Sequence, residues 1–145
     1  MVISRKSKVG EMDVDVLAKL LSDPGESFEF GIEECNAEKY IQIAAQWFPE
    51  KPYCLVRNWV LWDLIVTERE AEGFKVMGFQ PIILHAKFVV FDETGRAEHG
   101  YFRMSTPLVT LREPCFFVTK NTVYILTGEG TRKLVDQKSV MSFYY

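Results

Sequence analysis

The feature that most constrains the fold is a series of short apolar runs, separated by turn residues, across the second half of the chain. Between residues 82 and 135 these runs are rich in β-branched and aromatic residues, which favours strands. The breaks fall at Gly95, Pro114, Asn121 and Gly128, residue types that suit tight turns. The pattern predicts an antiparallel β-meander over residues 82–135. Its strands are predicted at Ile82–Asp92, at Gly100–Ser105 with a continuation over Leu108–Leu111 after Pro107, at Cys115–Lys120 and at Val123–Thr127, with Thr131–Val135 as a candidate short fifth strand.

Two helices are predicted ahead of the meander. In the first, residues 14–21, apolar side chains recur at i, i+3, i+4 and i+7. The second begins after Asn36, a residue type that caps helices, and continues to about Phe48, where Pro49 stops it.

Two segments leave alternatives open. Residues 26–35 predict a short strand or an extended loop, since aromatic and apolar residues alternate there. Residues 53–66 are the most apolar stretch and predict one strand, or two with a break near Arg57-Asn58. A helix over residues 59–70 is the competing interpretation, because periodicity alone does not separate the two. Residues 67–73 predict a charged turn or the end of a helix.

These patterns together predict an α+β fold, with one or two N-terminal helices packed on a curled antiparallel β-sheet or partial barrel. A chain of 145 residues is the usual size of one domain, and we find no internal repeat and no flexible linker. We therefore expect residues 1–145 to form a single domain, with the polar residues 1–10 mobile.

Charge and cysteine content indicate the compartment and disfavour one class of partner. The net charge is −3, and residues 1–72 carry 8 Lys/Arg against 14 Asp/Glu. Such an acidic region repels nucleic-acid phosphate, so general nucleic-acid binding is not expected. Three widely spaced cysteines indicate reduced thiols. There is no apolar leader and no apolar run long enough to cross a membrane, so we expect a cytoplasmic protein.

Three segments are candidates for contact with another protein. The densest acidic stretch lies between Asp23 and Glu38 and contains no basic residue. Two tryptophans stand beside an arginine and an aspartate within residues 57–63, and Trp and Arg are enriched in interaction hot spots. The apolar C-terminus is expected to pack on the domain or on a partner, with a homodimer as one outcome. The candidate residues are Glu29, Glu33, Glu34, Arg57, Trp59, Trp62, Asp63, Phe143, Tyr144 and Tyr145.

Catalytic and metal chemistry receive little support. His85 and His99 are the only histidines, and neither has ligand partners at the spacing that a metal site needs. A hydrolase using either histidine with a carboxylate, Asp63 or Glu98, remains an alternative. A nucleic-acid-binding sheet remains a second one, because basic residues are interleaved with aromatic ones in the C-terminal half. No cofactor is expected.

Residues 86–133 carry a resemblance to a known family. They contain Phe91-Asp92-x-x-Gly95-Arg96, then Gly100-Tyr101-Phe102-Arg103-x-Ser105, and finally Phe117-x-Thr119-Lys120-Asn121-Thr122-Val123-Tyr124-x-Leu126-x-Gly128-x-Gly130. This succession resembles a family of small uncharacterised proteobacterial proteins, found in bacteria such as pseudomonads and in their mobile elements. The resemblance implies neither an activity nor a cofactor. The first 50 residues lie outside it.

The sequence therefore favours a non-enzymatic protein-binding module. The hypothesis is an inhibitor, an immunity protein or an anti-defence factor of a bacterial mobile element or phage. Its acidic segment would meet a basic surface of the partner, where opposite charges favour association.

Overall fold

The computed structural model describes residues 18–19 and 21–141, with the side chains of residues 139 and 141 left aside. The predicted mobile residues 1–10 lie outside this part of the chain, as does most of the helix predicted over 14–21; residues 18, 19, 21 and 22 are helical. The elements are β1 (Glu26–Phe28), α1 (Ala37–Trp47), β2 (Tyr53–Ile65), α2 (Glu68–Val76), β3 (Ile82–Asp92), β4 (Arg103–Met104), β5 (Leu108–Arg112), β6 (Phe116–Thr119), β7 (Val123–Thr127), β8 (Gly130–Asp136) and α3 (Gln137–Met141).

All eight strands belong to one mixed sheet built around β2. Strand β3 runs antiparallel along one edge of β2, while β7 and β8 run parallel to the other edge, one after the other. Strands β6 and β5 continue the sheet beyond β7, and β1 continues it beyond β8. A bridge between Gln80 and Leu108 joins the segment before β3 to β5, so the sheet curls into a half-barrel. The predicted α+β class with a curled sheet is confirmed.

The prediction of an antiparallel meander over residues 82–135 is wrong in its strand order. Strands β5, β6 and β7 do follow one another as antiparallel neighbours. However, β2 lies between β3 and β7 and is parallel to both β7 and β8, so the sheet is mixed. The physical reason is burial: β2 is apolar on both faces, and a strand of that kind lies at the centre of a sheet with both edges hydrogen-bonded. The predicted strand Gly100–Ser105 shortens to Arg103–Met104.

Residues 53–65 form one strand, and the competing helix over residues 59–70 is wrong. Pairing on both edges satisfies the backbone of β2, which helical periodicity alone did not reveal. At Asn58 the backbone adopts φ 54°, a left-handed conformation that asparagine tolerates better than most residues. Val56, before this point, and Trp59, after it, lie in the same core cluster. The inward-facing residues of β2 are therefore even-numbered before Asn58 and odd-numbered after it, a change of parity within the strand.

The helix that follows β2 is longer than the charged turn predicted there. Thr67 caps α2, since its hydroxyl accepts from Glu70 N while the Glu70 carboxylate accepts from Thr67 N. Such a reciprocal capping box satisfies two backbone groups at the start of a helix. A helix therefore begins at Glu68, where the sequence predicted a charged turn or the end of a helix.

Both faces of the sheet are buried. The concave face encloses one core cluster, which includes Trp59 and Leu61. On the outer face, α1 covers a second cluster, where its aromatic side chains surround Phe116. A third cluster, around Trp62, includes Val140 of α3. Cys54 and Cys115 lie in these clusters, and burial raises the pKa of both thiols to about 12.

The contact between Gly130 and Trp59 predicts a position where a single methyl group is not tolerated. A Cβ at Gly130 would overlap the Trp59 ring, whereas one at Gly73, in α2, would meet nothing within 4 Å. We expect Gly130→Ala to lower the free energy of unfolding by about 2 kcal/mol or more, because overpacking forces the ring or the backbone to move. Gly73→Ala, the control, should be neutral or slightly stabilising. Urea unfolding measures both, and equal stabilities would contradict the close packing.

Candidate functional site

A groove opens where the concave face of the half-barrel reaches solvent. Beyond Leu61, the next inward-facing residue of β2 is Asp63, and Arg132 of β8 lies beside it. The groove has a volume of about 670 Å³. Its lining residues are Asp23, Gly25, Glu26, Ser27, Phe28, Asp63, Arg132, Lys133 and Leu134. We call it the mouth groove.

The floor of the mouth groove is an arginine–aspartate pair. Arg132 Nε and Nη2 donate to the two carboxylate oxygens of Asp63 over 2.6 and 2.7 Å. The guanidinium also lies 5.0 Å from the centre of the Phe28 ring, within cation–π range. The hydrogen bonds to Asp63 raise the pKa of Arg132 despite its burial. This fork geometry fixes the orientation of both side chains.

The walls of the mouth groove combine carboxylates with apolar side chains. Asp23 and Glu26 add two acidic groups to Asp63, Lys133 adds a basic group, and Leu134 and Phe28 add apolar surface. Leu134 is 75% exposed, which is unusual for a leucine within a strand. The groove can therefore take a ligand that is both basic and partly apolar, as a peptide segment is.

The acidic segment adjoins the mouth groove on a fixed backbone. Phe28 and Phe30 pack edge-on against Trp59, each with ring centres 6.4 Å from it. Gly31 N donates to Pro114 O, and Ile32 bridges Thr127. The three predicted contact residues of this segment are all exposed: Glu29, Glu33 and Glu34. Arg57 Nε lies 3.8 Å from Glu34 Oε1, with both side chains about two-fifths exposed.

The structure corrects the prediction for the two tryptophans. Trp59 is 1% exposed and Trp62 0%, so neither contributes to a contact surface. They face opposite sides of β2: Trp59 lies in the concave core, and Trp62 lies in the outer cluster under α3. Of this group, Asp63 lines the mouth groove. The predicted contact residues Phe143, Tyr144 and Tyr145 lie outside the described residues.

The two histidines occupy different environments. His85 is buried, and its pKa falls to about 4 because of burial first and then the charges of Lys87 and Lys133. His99 is exposed, with Nδ1 2.9 Å from Val90 O. Neither has a carboxylate partner among residues 18–19 and 21–141. In the same part of the chain, no group of three potential ligands is arranged to hold a metal ion.

Sequence reasoning missed a buried charge at the end of β3. The side chain of Asp92 is fully buried and forms a 2.8 Å ion pair with Arg103. It also accepts hydrogen bonds from Thr94 and Ala97. Burial acts to raise the pKa of Asp92, but these hydrogen bonds and the arginine outweigh it and lower the pKa. In the sequence Asp92 appeared only as the last residue of a strand, and nothing there indicated its partner eleven residues later.

The Asp92 network fixes a loop that presents aromatic side chains. Tyr101 and Phe102 are 62% and 60% exposed. They line a second groove of about 510 Å³, together with Arg96 and Arg103. This surface was not among the predicted sites.

Replacement of the two ion-paired aspartates should have unequal effects. Asp92→Asn should lower the free energy of unfolding by roughly 3 kcal/mol, since it breaks a buried pair. Asp63→Asn, at a pair with 25–31% exposed side chains, should cost about 1 kcal/mol or less. Chemical unfolding measures both values. Equal costs would contradict the structural role of Asp92.

The free energy of unfolding should also depend on pH differently in wild type and in Asp92→Asn. The folded-state pKa of Asp92 lies below the ordinary 3.8, so its contribution is complete above 3.8 and is lost as the pH falls through the lower value. That acid loss should be absent in Asp92→Asn. Protonation of His85 acts in a separate window: its pKa is 6.5 when unfolded and about 4 when folded, so wild type and variant alike lose stability as the pH falls from 6.5 to about 4. If Asp92→Asn still lost stability as the pH falls below 3.8, as wild type does, the assignment of that loss to Asp92 would be contradicted.

The chain was compared with known protein families, curated proteins and solved structures. Among the described residues, no helix is long and apolar enough to cross a membrane. No curated protein and no solved structure matches the chain. One family profile matches residues 30–142, which include α1, all strands except β1, and the Asp63–Arg132 pair. The chain therefore belongs to the family described as Domain of unknown function (DUF6957).

Proposed function

We propose that this protein is a non-enzymatic protein-binding module that takes a basic, partly apolar segment of another protein in its mouth groove. The observation that carries the proposal is the composition of that groove, where three carboxylates, Asp23, Glu26 and Asp63, outnumber two basic side chains, Arg132 and Lys133, and stand beside exposed Leu134. The role we propose is that of an inhibitor, immunity protein or anti-defence factor of a proteobacterial mobile element or phage, acting in the cytoplasm.

Charge supports a basic partner. The carboxylates of the mouth groove continue along the chain into the exposed Glu29, Glu33 and Glu34. Two of the basic residues nearby, Arg132 and Arg57, already face carboxylates of the protein itself. Complementary charge of this kind raises the association rate and disfavours acidic competitors.

The rigid backbone of the acidic segment supports the same proposal. Its rings pack on Trp59 and its main chain bonds to Pro114 and Leu126, so the backbone that carries its carboxylates is already positioned. A surface that needs no ordering on binding loses less conformational entropy. The groove volume of about 670 Å³ lies within the usual range for ligand sites.

The hydrolase alternative has less support from the geometry. His85 is buried beside two lysines, and burial together with like charge disfavours protonation. A general base is usually oriented by a hydrogen-bonded carboxylate, and neither histidine has one among the described residues.

The experiment is a matched pair of charge reversals. One variant carries Glu29→Lys, Glu33→Lys and Glu34→Lys in the acidic segment. The control carries Glu50→Lys, Glu68→Lys and Glu72→Lys, three exposed acids elsewhere that change the net charge equally. Each protein is used to capture partners from the native host, and the captured partner is then purified for affinity measurement.

We expect wild type and control to bind the same partner in stoichiometric amount. The acidic-segment variant should bind it at least about tenfold more weakly, and the wild-type affinity should fall with salt. Leu134→Glu should weaken binding as well, because it removes the apolar wall of the groove. Equal binding by the two charge variants would overturn the proposal.

A further inference from the structure

Strand β8 is longer than the strand that borders it. On one edge, β1 pairs only with residues 130–132 of β8, whereas on the other edge β8 pairs with β2 as far as Asp136. No ladder joins Leu134 or Val135 to another strand of the described chain on the side away from β2. Alternate residues of a strand direct their N–H and C=O groups to opposite edges. One of these two residues therefore presents its backbone groups on the outer edge of β8.

The chain before β1 turns away from this edge. Pro24 has no N–H to donate to a ladder, and Gly25 has φ 79°, a conformation that glycine adopts readily. A Cβ at Gly25 would lie 2.7 Å from Arg132 O, so the turn also needs a residue without a side chain. The Thr131 hydroxyl donates to Pro24 O, and Thr131 pairs with Val60 of the outer cluster. The turn is thus held toward the outer face, and the mouth groove opens on the concave side of the edge.

Leu134 is the side chain that this open edge leaves uncovered. It pairs with Asp63, so both lie on the concave face of the sheet. Two residues earlier, Arg132 lies on the same face, and the ring centre of Phe28 in β1 is 5.0 Å from its guanidinium. β1 pairs no further than Arg132, and Leu134 remains 75% exposed.

The charges along this edge favour a basic segment. Glu26, at the start of β1, lines the mouth groove, and Asp136 lies two residues beyond Leu134. Both acids are exposed, and neither forms an ion pair with another of the described residues. The two basic side chains of the groove already donate to oxygens of the protein itself. An incoming basic group would therefore meet carboxylates without an ionic partner.

We propose that the partner of the mouth groove binds as an added β-strand, an extended segment that pairs with the outer edge of β8 in line with β1. This inference rests on the proposed function and specifies its partner. One face of the segment carries an apolar residue opposite Leu134 and basic residues two positions away, which approach Asp136 and Glu26. Main-chain hydrogen bonds to β8 contribute affinity, and the side chains opposite Leu134 and Asp136 contribute specificity.

The test is amide hydrogen exchange of the full chain, followed by NMR, with and without the acetylated peptide Lys-Thr-Val-Thr-Lys. This peptide places two lysines and the valine on one face in either strand direction. In the absence of peptide, one of the amides of Leu134 and Val135 should exchange rapidly, and saturating peptide should slow it at least about tenfold. Backbone protons of the peptide should also give nuclear Overhauser effects to backbone protons of β8.

A second peptide and two variants test the chemistry of the segment. Glu-Thr-Val-Thr-Glu should bind at least about tenfold more weakly than the lysine peptide, because its charges face Asp136 and Glu26. Leu134→Thr should weaken binding of the lysine peptide, since it removes the apolar contact but keeps a residue that suits a strand. Val76→Thr, at a site of similar exposure at the end of α2, is the control and should bind like wild type.

Three results would overturn strand addition. The lysine peptide could bind through side-chain contacts alone, with the exchange of both amides unchanged, which would leave the groove as the binding surface. Both amides could exchange slowly without peptide, which would show that the edge is already paired by the chain itself or by a second copy. The peptide could fail to bind at millimolar concentration. The proposed function is decided separately, by the partner captured with the two charge variants.

Discussion

The structure depends on the hydrogen bonding of β2 along both of its edges. This strand of thirteen residues pairs with β3 on one side and with β7 and then β8 on the other. A slip of one residue would transfer every buried side chain of a strand to the opposite face. Because β2 is apolar on both faces, its register also fixes which residues reach solvent where the strand ends.

The mouth groove follows from this arrangement. The change of parity at Asn58 directs Trp59 and Leu61 into the concave core, so the next inward position, Asp63, meets Arg132 at the mouth groove. The alternate residue Trp62 points to the outer face, where it packs against His85 and lies below Lys133.

Local patterns in the sequence predicted most of the elements but not their neighbours. The strands Ile82–Asp92 and Val123–Thr127 and the helix that follows Asn36 agree with the structure, because their signals are short-range: apolar runs, caps and turn residues. The position of β2 between β3 and β7 was not predicted, since strand order depends on contacts between residues far apart in the chain.

The same limit applies to the candidate site. The glutamates were identified as part of the densest acidic stretch and Asp63 as a neighbour of the two tryptophans, and they lie in and beside one groove. Trp59 was assigned to a surface because nothing in the sequence shows that Phe28, Phe30 and Gly130 cover it. The partners of Asp92 are likewise distant in sequence or unmarked by it, and they do not follow from residue spacing.

Site-specific photo-crosslinking in the native host tests most directly whether the mouth groove is the binding surface. A photoreactive amino acid replaces Leu134 in the groove or, as a control of similar exposure, Val76 at the end of α2; these residues are 75% and 78% exposed. The account predicts one specific crosslinked protein from position 134 and none from position 76. A specific crosslink from position 76 with none from position 134 would contradict it.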